Sequence, residues 1–234
     1  MASLAANLVV ACTGYGGDRA AFSHSSAPTT VKQSKAVIVD MEGDSLIWGY
    51  AGMSNGVAQK SVSNPPDVAQ AELQKQIGAT VTTENNAVPG TTVANALAGD
   101  GNGASFTTRL SLNSAQIVLS DYATNDSVGT SVDVYTANLI EWVKEVKASG
   151  KTPVLEEPNP SCKPKHAALP QFRDAMVKVA NQEDILLIQQ YDYVLSMRNW
   201  QSMLRDCTHP NDALYALKAQ REAQALAPLV KSLQ

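Results

Sequence analysis

Three residues of this chain are of the types that carry out nucleophilic catalysis. Ser45 follows shortly after the apolar run 36–39, while Asp206 and His209 stand three positions apart near the end of the chain. A serine hydroxyl attacks an ester carbonyl when a base removes its proton and a third group orients that base. We therefore expect Ser45 to be the nucleophile, His209 the base and Asp206 its orienting carboxylate, in a hydrolytic acyl transfer.

The elements that would position these residues alternate between strand and helix. Apolar and β-branched runs predict strands, and helical periodicity with stop signals predicts helices. The predicted strands are 36–40, 80–83, 115–120, 152–155 and 184–189, and the predicted helices are 67–77, 92–97, 132–148, 169–181 and 212–232. This alternation indicates an α/β fold with a five-stranded, mainly parallel sheet and helices on both faces, in which ligands bind at the carboxyl ends of the strands. Ser45, Gly90 and Asn125 each follow a predicted strand.

Length and composition fit one catalytic domain. The chain has 234 residues and a formal net charge of −4, without a basic stripe, which argues against a nucleic-acid partner. No apolar run is long enough to span a bilayer. The three histidines and the scattered acids show no metal-ligand spacing, so we expect neither a metal nor a cofactor. Nothing in the sequence indicates an oligomeric state.

Residues 1–34 form a different kind of segment, rich in Ala, Ser and Thr, ahead of a domain at 35–234. The apolar stretch 4–11 is similar to the apolar part of a secretion signal but is short and lacks a basic start. Residues 9–12 resemble a bacterial lipobox, which would make Cys12 a lipid anchor. The alternative is a flexible tail with an incidental cysteine. The first interpretation predicts a secreted, periplasmic or membrane-tethered bacterial protein.

Cys162 and Cys207 remain as an even pair once Cys12 is assigned to the N-terminal segment. A disulfide between them would fix the segment that bears His209 against the Pro-rich loop 157–164, and it would imply an oxidising compartment. Two reduced thiols in loops are the alternative, because spacing alone does not distinguish them.

Four short motifs resemble those of the GDSL, or SGNH, hydrolase family. They are Met41-Glu42-Gly43-Asp44-Ser45-Leu46, Asn86-Ala87-Val88-Pro89-Gly90, Tyr122-Ala123-Thr124-Asn125-Asp126 and Asp206-x-x-His209, in the family's order over about residues 36–231. Each motif alone is weak, but four in order at strand ends are a specific signal. The Gly-x-Ser-x-Gly motif of α/β-hydrolases is absent around Ser45.

The resemblance implies the three-layer, flavodoxin-like SGNH fold and further roles for individual residues. The backbone N–H groups of Ser45 and Gly90 and the side-chain amide of Asn125 would form an oxyanion hole. Asp44 would brace the loop that carries Ser45, hereafter the nucleophile loop, and would not itself react. Ala123 departs from the family's usual glycine, and a positive φ at that position would strain it.

Each of these residues also has a structural alternative. Ser45 could cap a helix, Asn125 and Gly90 could be turn residues, and His209 could be a surface histidine. Trp48 and Tyr50 could line a substrate pocket or pack against the sheet. His166 has no supporting neighbour in the sequence and is predicted to lie on the surface. Four unrelated coincidences would be needed to explain all the motifs in this way.

The family resemblance implies carboxylic ester substrates. Polar residues around the motif loops, such as Asn55, Asn85, Asn86, Thr91 and Thr92, favour a short acyl group on a polar alcohol, including acetyl esters of carbohydrates. The alternatives are a lysophospholipase- or thioesterase-like lipolytic enzyme, and a non-catalytic carbohydrate-binding domain of the same fold.

Overall fold

Residues 35–78, 80–101 and 103–234 are described by the computed structural model of the chain, whose central feature is a five-stranded parallel sheet. The strands are β1 (Val37–Glu42), β2 (Tyr50–Ser54), β3 (Val57–Lys60), β4 (Val81–Asn85), β5 (Ile117–Ser120), β6 (Thr152–Glu156) and β7 (Leu186–Ile188). The helices are α1 (Ser45–Trp48), α2 (Pro65–Ile77), α3 (Val93–Ala98), α4 (Phe106–Leu112), α5 (Asp126–Gly129), α6 (Val132–Ala148), α7 (Leu169–Glu183), α8 (Tyr191–Ser196) and α9 (Asp212–Leu233). Two 3₁₀ turns cover Pro164–His166 and Trp200–Met203.

The sheet has the strand order β4-β1-β5-β6-β7, with every neighbouring pair parallel. The next two strands of this sheet in the chain, β4 and β5, lie on opposite sides of β1, so the order of the strands reverses there. In doubly wound sheets, ligands bind at such a switch point, beyond the carboxyl ends of the strands. The predicted α/β fold with a five-stranded parallel sheet is confirmed.

Alternating side chains of the strands enter two separate cores. Ile117 and Leu119 of β5 face the core made with α2 and α9, whereas Val118 faces the core made with α3, α4, α6 and α7. A strand buried on both faces reads as a continuous apolar run, which explains why the sequence showed these strands clearly. The result is a three-layer arrangement with the sheet in the middle.

Several short elements were not predicted from the sequence. The antiparallel hairpin β2–β3 extends from the nucleophile loop, and α4, α5 and α8 are each seven residues or fewer. The predicted strand 184–189 is shorter than expected because Asp184, at φ 50°, ends α7 in the left-handed region. Ala123, by contrast, has no positive φ and lies fully buried, so alanine causes no strain there.

The predicted N-terminal segment 1–34, with its lipobox-like Cys12, lies outside the described residues. Within the part of the chain that the structure describes, no helix combines the length and apolar character needed to cross a membrane.

Candidate active site

The nucleophile loop follows β1 and turns sharply at Gly43. Gly43 has φ 146°, and a Cβ there would lie 2.3 Å from Asp121 Oδ1. A side chain would therefore collide with a buried carboxylate as well as strain the backbone. This close approach brings the loops after β1 and β5 together, and it explains the glycine of the Gly-Asp-Ser motif.

Asp44, rather than Ser45, caps the short helix α1. Its Oδ1 accepts a 2.8 Å hydrogen bond from the Leu46 N–H. Ser45 is then the first helical residue, with only 8% of its surface exposed, and its backbone N–H finds no acceptor among the described residues. An unpaired N–H at a helix start beside a serine hydroxyl is suited to stabilising a negative charge.

Ser45, His209 and Asp206 lie in one hydrogen-bonded line. Ser45 Oγ is 2.9 Å from His209 Nε2, and His209 Nδ1 is 3.0 Å from each carboxylate oxygen of Asp206. An aspartate on Nδ1 favours the tautomer that carries its proton on that nitrogen, which leaves Nε2 free to accept the serine proton. The structure thus brings together the three residues that the sequence selected, although 164 positions separate the serine from the histidine.

A tight turn positions the acid and the base. Asp206 Oδ1 accepts the N–H groups of Thr208 and His209 at 3.2 and 2.9 Å, and Cys207 between them has a left-handed φ of 64°. The predicted disulfide is present: Cys207 is bonded to Cys162, with their Cα atoms 4.9 Å apart. Residues 206–209, hereafter the base turn, are therefore attached covalently to the Pro-rich loop.

The electrostatic surroundings keep Asp206 ionised and His209 neutral. Burial by itself would raise the pKa of Asp206. The hydrogen bond from the backbone N–H of His209 and the Lys163 ammonium at 3.0 Å nevertheless hold that pKa below its usual value. Burial lowers the pKa of His209, and this outweighs the opposite effect of Asp206. A neutral imidazole is the form that can accept a proton from a serine hydroxyl.

Gly90 lies on the loop after β4 with its N–H unpaired within the described residues. Its φ is 87°, and no atom lies within 4 Å of the position that a Cβ would occupy. The loop is attached to the nucleophile loop, because the Val88 N–H donates to the Gly43 carbonyl at 2.9 Å. The glycine therefore has a free backbone donor, and the side on which a Cβ would stand is open.

Asn125 follows β5 and is held on two sides. Its Nδ2 is 3.0 Å from Asp44 Oδ2 and 3.0 Å from the Thr91 carbonyl oxygen. Both acceptors lack a proton to give, so the amide nitrogen faces them. Asn125 thus connects the loops that carry Asp44 and Gly90.

Asp44 was singled out from the sequence, but the other buried acids beneath the site, such as Asp121 and Glu156, were not. Burial raises the pKa of Asp44 to about 6 and the pKa of Asp121 well above its usual value. Further along the sheet edge, the fully buried Lys218 places its Nζ 3.5 Å from Glu156 Oε1. These acids come from separate elements without a common spacing, so no sequence signal could have grouped them.

The two aromatic residues after the nucleophile differ in position. The ring of Tyr50 lies 4.5 Å from that of His209, whereas Trp48 packs against the core shared with α2 and receives the Lys60 ammonium 5.0 Å above its ring. Tyr50 therefore adjoins the reacting groups, and Trp48 has a packing role.

The prediction for His166 is wrong. His166 is 4% exposed rather than on the surface, and its Nδ1 lies 2.7 Å from Ser161 Oγ. Ser161, which the sequence did not single out, also contacts the base turn. Ser161 lies five positions before His166, a spacing that belongs to no regular helix or strand, so no periodic pattern predicts this contact.

Comparisons with known proteins agree with this arrangement. Residues 42–217 match the family model for the GDSL-like lipase/acylhydrolase family. The search of curated proteins returned no match.

Three solved structures illustrate the likeness in fold. A lipase/acylhydrolase from Enterococcus faecalis is 17% identical with a TM-score of 0.65, covering 82% of this chain and 96% of its own. A catalytic mutant of an acetylxylan esterase from Geobacillus stearothermophilus is 17% identical with a TM-score of 0.63, covering 84% and 94%. The psychrotrophic esterase EstA from Pseudoalteromonas sp., inhibited by monoethylphosphonate, is 18% identical with a TM-score of 0.63, covering 83% and 98%.

At these identities the structural comparisons show the fold alone, whereas the family match extends over most of the chain and includes both the Gly-Asp-Ser and the Asp-x-x-His motifs. The chain therefore belongs to the GDSL-like lipase/acylhydrolase family of hydrolases.

Proposed function

We propose that this protein is a serine esterase that cleaves carboxylic esters through an acyl-enzyme intermediate. The observation that carries the proposal is the 2.9 Å contact between Ser45 Oγ and His209 Nε2, with Asp206 on the opposite ring nitrogen. Family membership supports hydrolysis in general, and this contact supplies the nucleophile and base that ester hydrolysis needs.

In the proposed reaction, Ser45 Oγ attacks the ester carbonyl while His209 Nε2 takes the hydroxyl proton. Asp206 stabilises the resulting imidazolium, which then gives the proton to the leaving alcohol. A water molecule, deprotonated by His209, attacks the acyl-enzyme, and the carboxylic acid and free Ser45 are regenerated.

The negative oxygen of each tetrahedral intermediate would be stabilised by three donors. The Ser45 and Gly90 N–H groups are unpaired within the described residues, which supports their assignment. The Asn125 amide would complete the set, on condition that it gives up or shares one of its two present hydrogen bonds.

A short acyl group on a polar alcohol, such as an acetylated carbohydrate, is the proposed substrate class. A groove of about 460 Å³ beside Asn86 has none of the reacting residues in its lining. The support for this substrate class is instead the amide and hydroxyl side chains that flank Gly90 in the sequence, namely Asn85, Asn86, Thr91 and Thr92. Such groups can form hydrogen bonds with sugar hydroxyls. The acetylxylan esterase from Geobacillus stearothermophilus offers an analogy of fold only.

A lipolytic or thioesterase-like activity is the second candidate, and the hairpin β2–β3 favours it. Met53 and Val57 are 60% and 62% exposed on this hairpin, which begins at Tyr50 beside His209. These side chains could contact a longer acyl chain, because exposed apolar groups are stabilised by contact with hydrocarbon.

Turnover of p-nitrophenyl esters with two to twelve acyl carbons, together with acetate release from acetylated xylo-oligosaccharides, tests the proposal. We expect kcat/KM to be highest for the acetyl ester and to be abolished by Ser45→Ala. A maximum at long chains would support the lipolytic alternative. Equal rates for the wild-type and Ser45→Ala proteins would contradict a serine mechanism, and binding of the oligosaccharides without turnover would favour a non-catalytic domain.

We also propose that the protein works in an oxidising compartment, outside the cell or in a periplasm. Disulfides persist there and are rare in reducing cytosol, so the Cys162–Cys207 bond supports this location. Thiol counting with peptide mapping on denatured, unreduced protein should detect neither Cys162 nor Cys207 as a free thiol, and reaction of both would contradict the proposal.

A further inference from the structure

His166 is a buried histidine outside the line of reacting groups, and its hydrogen-bond partner Ser161 contacts the base turn. It ends the 3₁₀ turn Pro164–His166 and is 4% exposed. Its Nδ1 lies 2.7 Å from Ser161 Oγ, and Ser161 Oγ lies 2.8 Å from the carbonyl oxygen of Cys207 in the base turn.

The direction of these two hydrogen bonds follows from the atoms involved. In the assignment that makes both contacts hydrogen bonds, the Ser161 hydroxyl donates its single proton to the Cys207 carbonyl oxygen, which can only accept. With this assignment His166 Nδ1 carries a proton and donates to Ser161 Oγ, which also accepts the Lys163 N–H at 3.2 Å and lies 3.2 Å from Thr208 Oγ1. His166 is thereby assigned to the tautomer protonated on Nδ1.

The Cys207 carbonyl is a sensitive point of the base turn. It belongs to the same peptide group as the Thr208 N–H, which donates to Asp206 Oδ1 at 3.2 Å. Cys207 itself has an unfavourable left-handed φ of 64°. A non-glycine residue keeps such a conformation only where its surroundings hold it. The holding contacts on this carbonyl are the Cys162 N–H at 2.9 Å and the Ser161 hydroxyl.

We propose that His166 is a positioning residue for the base: through Ser161 it orients the Cys207 carbonyl and so keeps Asp206 and His209 aligned with Ser45. The inference rests on the proposed esterase function of that site. The contact uses no atom of the disulfide, so the base turn has a non-covalent support in addition to its covalent one.

His166 stays neutral through the range in which an esterase of this type would work. Burial lowers its pKa to about 4, with Lys165, Lys163 and His209 acting in the same direction and Asp206 opposing them. The imidazole therefore keeps one fixed arrangement of donor and acceptor while His209 changes its protonation state.

Two substitutions at His166 differ in where they place an amide nitrogen. The amide of His166→Asn can occupy the place of Nδ1, whereas that of His166→Gln falls nearer the place of Nε2. We expect His166→Gln to lower kcat for p-nitrophenyl acetate by about 10- to 100-fold, the scale of an active-site group moved by about an ångström, with KM little changed. His166→Asn should restore most of that loss. Ser161→Ala should behave like His166→Gln, and combining the two should add little.

Proton NMR gives a readout that does not depend on turnover. The chain has only three histidines, so the low-field Nδ1–H signal of His209 on Asp206 can be assigned by substitution. We expect this signal to persist in the wild-type protein and in His166→Asn, and to broaden or disappear in His166→Gln and Ser161→Ala. Loss of this pattern overturns the inference even if no ester is hydrolysed. Wild-type kcat in both His166→Gln and Ser161→Ala would also overturn the inference. Equal losses of kcat and Tm in His166→Asn and His166→Gln would overturn it too, because they would indicate that His166 has a packing role alone.

Discussion

Asn125 Nδ2 lies 3.0 Å from Asp44 Oδ2, which connects a proposed oxyanion donor to the residue that caps the nucleophile helix. The other oxygen of Asp44 accepts the Leu46 N–H, so this one buried carboxylate orients both Ser45 and Asn125. Asp44, the middle residue of the Gly-Asp-Ser motif, therefore connects the loop that carries the nucleophile to a donor that follows β5.

Substitution of these two residues should show their coupling. Asn125→Ala should lower kcat by about 100- to 1,000-fold, the usual cost of losing one oxyanion donor. Asp44→Asn should also lower kcat, since an amide cannot replace both accepting oxygens. The double variant should lose less than the product of the two single losses, because the residues act through one contact. Steady-state kinetics with p-nitrophenyl acetate measures this, and strictly multiplicative losses would show that the contact has no role in turnover.

The fall in activity at low pH should be set by the protonation of His209. Burial lowers the pKa of His209, so the neutral base is retained to lower pH than for an exposed histidine. We expect kcat/KM to rise with pH through a midpoint below about 6.5, the ordinary histidine value. Initial rates with p-nitrophenyl acetate at pH 4–8 give the midpoint. A value above 7 would be inconsistent with the buried position of His209.

Stability should increase from pH 8 to pH 5, which is unusual for a protein with several acids. Burial raises the pKa of Asp126 and Glu42 to about 7 and of Asp40 to about 6 in the folded state. A raised carboxyl pKa contributes stability that is present below the unfolded value, about 4, and is lost as pH rises through the folded value. The lowered pKa values of His166 and His209 reduce the stability of the folded protein as pH falls, but these are two groups against the three carboxyl groups named above.

Thermal melts at constant ionic strength measure this pH dependence. Asp126→Asn keeps an acceptor for the Val93 N–H, which donates to Asp126 Oδ1 at 3.1 Å, and removes one titrating group. Its Tm should therefore change less between pH 5 and pH 8 than that of the wild-type protein. A wild-type Tm that falls steadily from pH 8 to pH 5 would contradict the raised carboxyl pKa values.

The parts of the fold that could be predicted share one property: their residues interact with near neighbours or with a uniform apolar surface. Val37, Val39 and Asp40 are buried and Ile38 is half-buried, and α6 covers the predicted range 132–148. The partners of Asp206 and His209 could also be predicted, because the family motifs resemble a known arrangement.

The remaining parts depend on contacts between distant segments. Ser161, the hydrogen-bond partner of His166, contacts Cys207 of the base turn, 46 positions further along the chain. Likewise, the Arg109–Glu42 ion pair explains the placement of α4, but a lone arginine in a short helix shows no partner in the sequence. Such pairings become visible only in the folded structure.

Removal of the disulfide should affect stability more than catalytic geometry. The Cys162–Cys207 bond spans 45 positions, for which the chain-entropy relation gives about 4 kcal/mol of stabilisation. The base turn keeps the Asn159 amide on the Thr208 carbonyl at 2.9 Å and the Ser161 contact. We expect the Cys162→Ala/Cys207→Ala double variant to lose about that free energy of unfolding in urea titrations, while kcat below the transition falls less than tenfold. A larger fall in kcat at unchanged stability would assign the disulfide the main positioning role instead.

Covalent labelling of Ser45 tests the central claim most directly. A fluorophosphonate reacts with a serine that has been activated by a neighbouring base, and intact-mass spectrometry followed by peptide mapping locates the adduct. We predict one adduct per chain, on Ser45, with none on Ser45→Ala and strongly slowed labelling in His209→Ala. Labelling at another residue, or equal labelling of the wild-type and Ser45→Ala proteins, would contradict the assignment of Ser45 as the nucleophile.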